Sequence, residues 1–259
     1  MKRTLLLTAV LLAALPATAP AITTNGTFDG NAHPNVGALG VKRVDGSFAA
    51  FCSGTLVTAT VFLTASHCTT GEDRVYVTFD PTDVEPAPDG LLAGRAVTNP
   101  AYDPKQVYQN DVSIVRLDAP VGIRPARLPA ADLLGRMRAA GTLRDARFTN
   151  VGYGTQEQVN GPGGPTFPFL GDRFNSVSSF KALDPRFVHA GQNQANGDGG
   201  TCYGDSGGPQ FLGAGAEETD VVVSVTSTGD VPCYATSVNT RTETPAARAF
   251  LAAQGVPLP

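Results

Sequence analysis

No histidine follows Ser206, and that constrains the fold of this 259-residue chain more than any other feature. Residues 204–208 read GDSGG, which fits G-x-S-x-G, the sharp strand-to-helix turn that displays a nucleophilic serine in α/β-hydrolases. That architecture orders its catalytic groups Ser, acid, His, so a histidine has to come after the serine. The three histidines here, His33, His67 and His189, all precede it. The alternating strand and helix pattern of such a fold is missing as well. Short segments at 54–65, 74–80, 111–118 and 221–227 are instead rich in Val, Thr, Ile and Phe and partly alternate in polarity, as strands do. Residues 120–145 carry proline and charge without alternation and read as a connection between two halves. Residues 160–169, NGPGGPTFPF, read as a loop, and no internal repeat is present. Helical signals are confined to 244–255, where Thr244 is an N-cap, Pro245 the first helical position and Gly255 the stop. The expected class is all-β with one C-terminal helix.

The N-terminus, MKRTLLLTAVLLAALPATAPA, has the form of an export signal: Lys2 and Arg3, then an apolar run, then Ala19 and Ala21. The run is broken at Pro16, short of the roughly 20 residues a membrane-spanning helix needs. Cleavage after Ala19 would put Pro20 first, so the expected cut follows Ala21 and the mature chain begins at Ile22. Removing Lys2 and Arg3 lowers Lys plus Arg from 19 to 17 against 23 Asp plus Glu, a net charge of −6. Such a surface offers no electrostatic footprint for nucleic acid or an anionic membrane.

Four cysteines, Cys52, Cys68, Cys202 and Cys233, lie in the mature chain. An even count in an exported chain reads as disulfides, with three connectivities open. Joining sequence neighbours would close loops worth about 3 and 4 kcal/mol in the chain-entropy model. A zinc site is disfavoured by the absence of C-x-x-C and the scarcity of histidine. The stretch TTGEDR at 69–74 has two acids and no calcium-ligand spacing, and NGT at 25–27 is formally a glycosylation acceptor. No cofactor is expected.

What precedes Ser206 is TASHC with His67 and NDVSIVRL with Asp111, giving the order His, Asp, Ser. With CYGDSGGP around Ser206, the chain from about Ile22 onward resembles the trypsin/chymotrypsin-like serine proteases. The resemblance implies two six-stranded antiparallel β-barrels, a first at 22–125 carrying His67 and Asp111, and a second at 126–259 carrying Ser206, the specificity pocket and the C-terminal helix. It also implies the pairings Cys52–Cys68 and Cys202–Cys233, and a monomer acting on protein or peptide, with a protein inhibitor as a further partner. Ser206 would be the nucleophile, His67 its base, Asp111 the group orienting His67, and the amides of Gly204 and Ser206 the oxyanion hole. Asp205 would pair with the α-ammonium of Ile22, so that export itself completes activation.

Substrate-binding positions follow from the same resemblance. Gly200 falls at the base of the primary pocket, where trypsin has an aspartate, and nearby Asp198 does not take that place. Ser224, Val225 and Thr226 align with the strand that holds substrate backbone, with Ser224 matching the serine that contacts the triad aspartate. Thr226, where glycine is usual, and Ser237 would narrow the pocket. The expectation is therefore a secreted endopeptidase cleaving after small or medium apolar residues. Two alternatives remain, a catalytically impaired relative that uses the cleft for binding and a secreted esterase.

Overall fold

The computed structural model describes residues 22, 25–88, 90–106 and 108–259, so the leader at 1–21 lies outside the described residues. After a two-residue strand β1 (Thr27–Phe28) come β2 (Val36–Lys42), β3 (Phe48–Thr58), β4 (Val61–Thr64), β5 (Arg74–Thr78), β6 (Leu92–Val97) and β7 (Ser113–Leu117). Strands β2 to β7 close into a six-stranded antiparallel barrel in the order β2-β3-β4-β7-β6-β5. The apolar stretch at 54–65 is a hairpin rather than one strand, because the chain reverses between Thr58 and Val61, which face each other across β3 and β4. Alternation along these strands sends Leu39, Leu56, Phe62, Val75, Val77 and Val115 into one buried cluster.

The second half contains β8 (Arg147–Gly152), a small hairpin of β9 (Val159–Gly161) and β10 (Gly164–Thr166), then β11 (Phe174–Leu183), β12 (Phe187–Gly191), β13 (Pro209–Leu212), β14 (Val222–Gly229) and β15 (Thr236–Arg241). The order β11-β12-β15-β14-β13-β8 is closed by pairing of β8 back onto β11, giving a second six-stranded antiparallel barrel, while β1 lies alongside β11. The hairpin at 159–166 corrects the reading of that stretch as a loop: its residues are exposed and pair through backbone alone, so side-chain alternation carries no signal. The connection likewise holds a helix (Leu133–Ala139), which buries Leu134 against the second barrel.

Between the barrels Val36, Leu63, Ile114, Val151, Phe211 and Val225 meet Ala247, Phe250 and Leu251 of the C-terminal helix (Pro245–Ala253) in one buried cluster. That helix starts as the sequence reads: Thr244 Oγ1 accepts the Ala247 N–H at 3.3 Å and Pro245 occupies the first turn. Gly255, at φ 73°, takes the left-handed conformation that ends it. Between β4 and β5 one short helical turn, Ser66–Thr69, interrupts the first barrel. No helix among the described residues is long and apolar enough to cross a membrane.

Candidate active site

The helical turn that follows β4 carries His67, and the residues just before β7 carry Asp111. Cross-links hold these segments together: Ser113 Oγ donates to the Ala65 carbonyl at 2.7 Å and Ser66 Oγ to the Val112 carbonyl at 3.0 Å. Asp111 is fully buried and spends both carboxylate oxygens on one residue, accepting the His67 backbone N–H at 2.9 Å and meeting His67 Nδ1 at 2.8 Å. A carboxylate can only accept, so the Nδ1 hydrogen points at Asp111 and Nε2 is the free basic nitrogen. The edge of His67 meets Tyr108, ring centroids 5.4 Å apart. The Cys52–Cys68 disulfide pins the turn to β3, and because those sulfurs are joined to each other, neither gives a thiolate to a metal beside His67.

The segment before β13 carries Ser206. It lines the same cleft of about 350 Å³ as His67, Tyr108, Thr201 and residues 226–231. Around it the loop is fixed by its backbone. The Ser53 N–H donates to the Ser206 carbonyl at 2.8 Å, and Ser53 Oγ donates to the Gly204 carbonyl at 2.9 Å while accepting the Tyr153 N–H at 2.9 Å. Gly207, at φ 79°, cannot carry a side chain: a Cβ there would stand 2.1 Å from Thr64 Oγ1. Among the described hydrogen bonds the N–H groups of Gly204 and Ser206 donate to no protein atom. The Cys202–Cys233 disulfide ties this loop to the β14–β15 turn.

Asp205 turns away from the cleft. Its carboxylate is buried in a cradle shaped by Gly152 and Gly154 and accepts the N–H groups of Cys202 and Gly154, each at 2.8 Å. Desolvation pushes its pKa up to about 7, because two backbone donors offset only part of the burial and no cation pairs with it among the described residues. Ile22 is buried against Phe174 with φ 57°, a strained value for a β-branched residue. Nearby in sequence, Asn25 Nδ2 donates to the Asp198 carbonyl at 3.1 Å, so the amide of the NGT motif is engaged.

The substrate-strand residues are not brought together as the sequence suggested. Ser224 is fully buried and donates to Gln210 Oε1 at 2.6 Å, not to Asp111, because the buried Gln210 carboxamide needs a donor. Val225 is buried in the inter-barrel cluster. Thr226 borders the cleft, but its N–H donates to the Gly208 carbonyl and its carbonyl accepts from Gly207, so its backbone is committed. Ser227, Thr228 and Gly229, three residues further on, run along the cleft, and Ser227 Oγ pairs with Thr240 Oγ1 at 2.7 Å. Gly200 lies beside the cleft-lining Thr201, and Asp198 is held elsewhere by Ser179 Oγ at 2.8 Å and Arg147 at 3.5 Å. Ser53, Tyr108 and Ser227–Gly229 had escaped the sequence reading, since each matters only through what the fold sets beside it.

Comparison with known proteins agrees with this architecture. The Trypsin family model matches residues 26–247. Trypsin of Saccharopolyspora erythraea is 29% identical over 200 residues, covering 70% of this chain and 76% of that one. Glucanase inhibitor protein 4 of Phytophthora infestans is 26% identical, covering 72% and 71%. The solved structure of HL collagenase superposes with a TM-score of 0.67 at 17% identity over 91% of this chain and all of that one, which speaks for the fold. With a matching family model over most of its length and two closed barrels meeting at a serine-bearing cleft, the chain belongs to the trypsin family of serine endopeptidases.

Proposed function

We propose that the mature chain, residues 22–259, is a secreted endopeptidase that cleaves peptide bonds through Ser206, His67 and Asp111. The observation that carries this is the doubly hydrogen-bonded His67–Asp111 pair at the edge of the cleft that Ser206 lines. His67 Nε2 takes the proton of Ser206 Oγ as the oxygen attacks the substrate carbonyl, then returns it to the leaving amine. Asp111 holds the ring in the required tautomer and stabilises the imidazolium. The N–H groups of Gly204 and Ser206, which donate to no protein atom among the described residues, receive the oxyanion, a contribution of about 3 kcal/mol for each such donor. Water then releases the acyl group by the same proton path.

Substrate backbone lies along Ser227–Gly229 as an added antiparallel strand, because Thr226 and the residues before it have no edge left to offer. With Gly229 rather than Thr226 at the mouth, the narrowing argued for a small apolar side chain loses its main support. A medium-sized uncharged side chain fits best, since neither Gly200 nor Asp198 brings a carboxylate to the base. Export signal cleavage after Ala21 frees the Ile22 ammonium to pair with Asp205. Support comes from the unpaired buried carboxylate and from the strained φ of Ile22, which ceases to exist once the preceding peptide bond is cut.

The rival reading, a cleft used only for binding, is favoured by the name of the Phytophthora relative. The test is casein hydrolysis by the chain beginning at Ile22. Ser206→Ala and His67→Ala are each expected to lower it by more than about a thousandfold. Binding without hydrolysis in the unsubstituted chain would favour the rival.

A further inference from the structure

Six buried side-chain polar atoms among the described residues lack a hydrogen-bond partner, and three of them belong to the cleft-lining Thr226 (Oγ1), to its register partner Asn239 (Oδ1) and to Gln192 (Nε2), whose carboxamide oxygen is bonded to the cleft-lining Thr201. Gln192, 1% exposed, folds its carboxamide against Gly200, where an added Cβ would stand 2.2 Å from Oε1 and 2.3 Å from Cδ. The carboxamide therefore fills the space into which a side chain at position 200 would grow. Its oxygen is fixed by the N–H of Thr201 at 2.6 Å and the Thr201 hydroxyl at 3.3 Å, which leaves the amide hydrogens unpaired beside a residue that lines the cleft.

Thr226 lines the cleft directly, and Asn239 is its register partner across β14 and β15, so the two side chains share a face. Asn239 Nδ2 donates to the Val188 carbonyl and to Ser237 Oγ, which makes Oδ1 the free end. The unpaired set is thus one amide donor, one hydroxyl and one carbonyl-type acceptor. Asp230 also lines the cleft, but its carboxylate accepts the N–H groups of Tyr234, Ala235 and Thr236.

We propose that Gln192, with Thr226 and Asn239, makes the pocket selective for a side chain ending in a carboxamide, so that cleavage follows Gln or Asn. The inference rests on the endopeptidase reading above and names its substrate class. A carboxamide brings an oxygen for the Gln192 N–H and hydrogens for Asn239 Oδ1, and the Thr226 hydroxyl serves either. A carboxylate brings acceptors only, and no Lys or Arg lines the cleft. An ammonium or guanidinium brings donors only. An aliphatic side chain brings neither and leaves all three groups buried and unpaired, which is the condition under which a pocket discriminates most strongly.

The experiment is a set of peptides differing only in the residue before the cleaved bond, assayed with the chain beginning at Ile22. Gln or Asn is expected to exceed Leu, Met, Glu and Lys in kcat/KM by about tenfold or more. Gln192→Leu and, separately, Thr226→Val should each pull the Gln-to-Leu ratio toward one. The ratio is taken within one preparation, so the folded fraction of a variant cancels. A preference for Leu, Met, Glu or Lys, or a ratio unmoved in both variants, overturns the assignment and leaves the endopeptidase reading standing. Failure to cut any peptide or casein removes that reading, and the assignment with it.

Discussion

Asp205 is a carboxylate without a counter-charge among the described residues, and its behaviour with pH reports whether Ile22 is its partner. In a chain still extended before Ile22, the folded-state pKa of about 7 lies above the ordinary 3.8 because burial disfavours the charge. The folded state then holds a proton that the unfolded state has released, so stability falls as pH rises through the window from about 4 to 7. In the chain beginning at Ile22, the ammonium removes that penalty and the fall disappears. Urea melts of the two chains across this range check it; superimposable pH curves would contradict the pairing. The residues around Asp205 were only partly legible. Gly154 leaves room for the carboxylate, since a Cβ there would stand 2.4 Å from Asp205 Oδ2, and nothing in its local sequence signals that.

At the scale of elements, the segment from β1 to β2 is fastened to both barrels by a buried ionic node that no motif announced. Arg173, fully buried at the start of β11, donates to Asp29 Oδ2, to the carbonyls of Gly30, Val36 and Phe79, and to Tyr153 Oη. His33 completes the node between Asp29 at 2.5 Å and Glu218 at 2.6 Å. Burial alone would lower the His33 pKa, but hydrogen bonds to Asp29 and Glu218 outweigh it and hold it at about 9. That contribution to stability is fully present below pH 6.5, the ordinary value, and is lost as pH rises toward 9. Arg173→Met leaves Asp29 with His33 as its remaining charged partner and strips the Gly30, Val36 and Phe79 carbonyls of their shared donor, and is expected to cost about 3 kcal/mol in chemical denaturation. A loss below about 1 kcal/mol would mean that the node is dispensable. Strand pairing also explains why residues 227–229 of β14, and not Ser224 and Val225, run along the cleft. In VVVSVTSTG both Ser224 and Ser227 are flanked by β-branched residues, and only pairing tells them apart: Thr226 binds Gly208 and Gly207, which leaves Ser227 as the first residue past β13. A register irregularity between Thr226 and Thr228 hides this further.

For the whole molecule, the order of His67, Asp111 and Ser206 excluded the competing α/β-hydrolase fold before any packing was known, and the resemblance to the trypsin/chymotrypsin-like proteases then implied two barrels and a cleft. Gln192 and Ser53 were not legible, since a buried glutamine and a strand serine acquire meaning only from Gly200, Gly204 and Tyr153 beside them. Ser206 as a nucleophile activated by His67 is tested by labelling with a fluorophosphonate followed by mass mapping of the adduct. The chain beginning at Ile22 is predicted to carry the label on Ser206, and His67→Ala to abolish it. An unlabelled Ser206 in that folded chain, or labelling that persists in His67→Ala, would contradict the account.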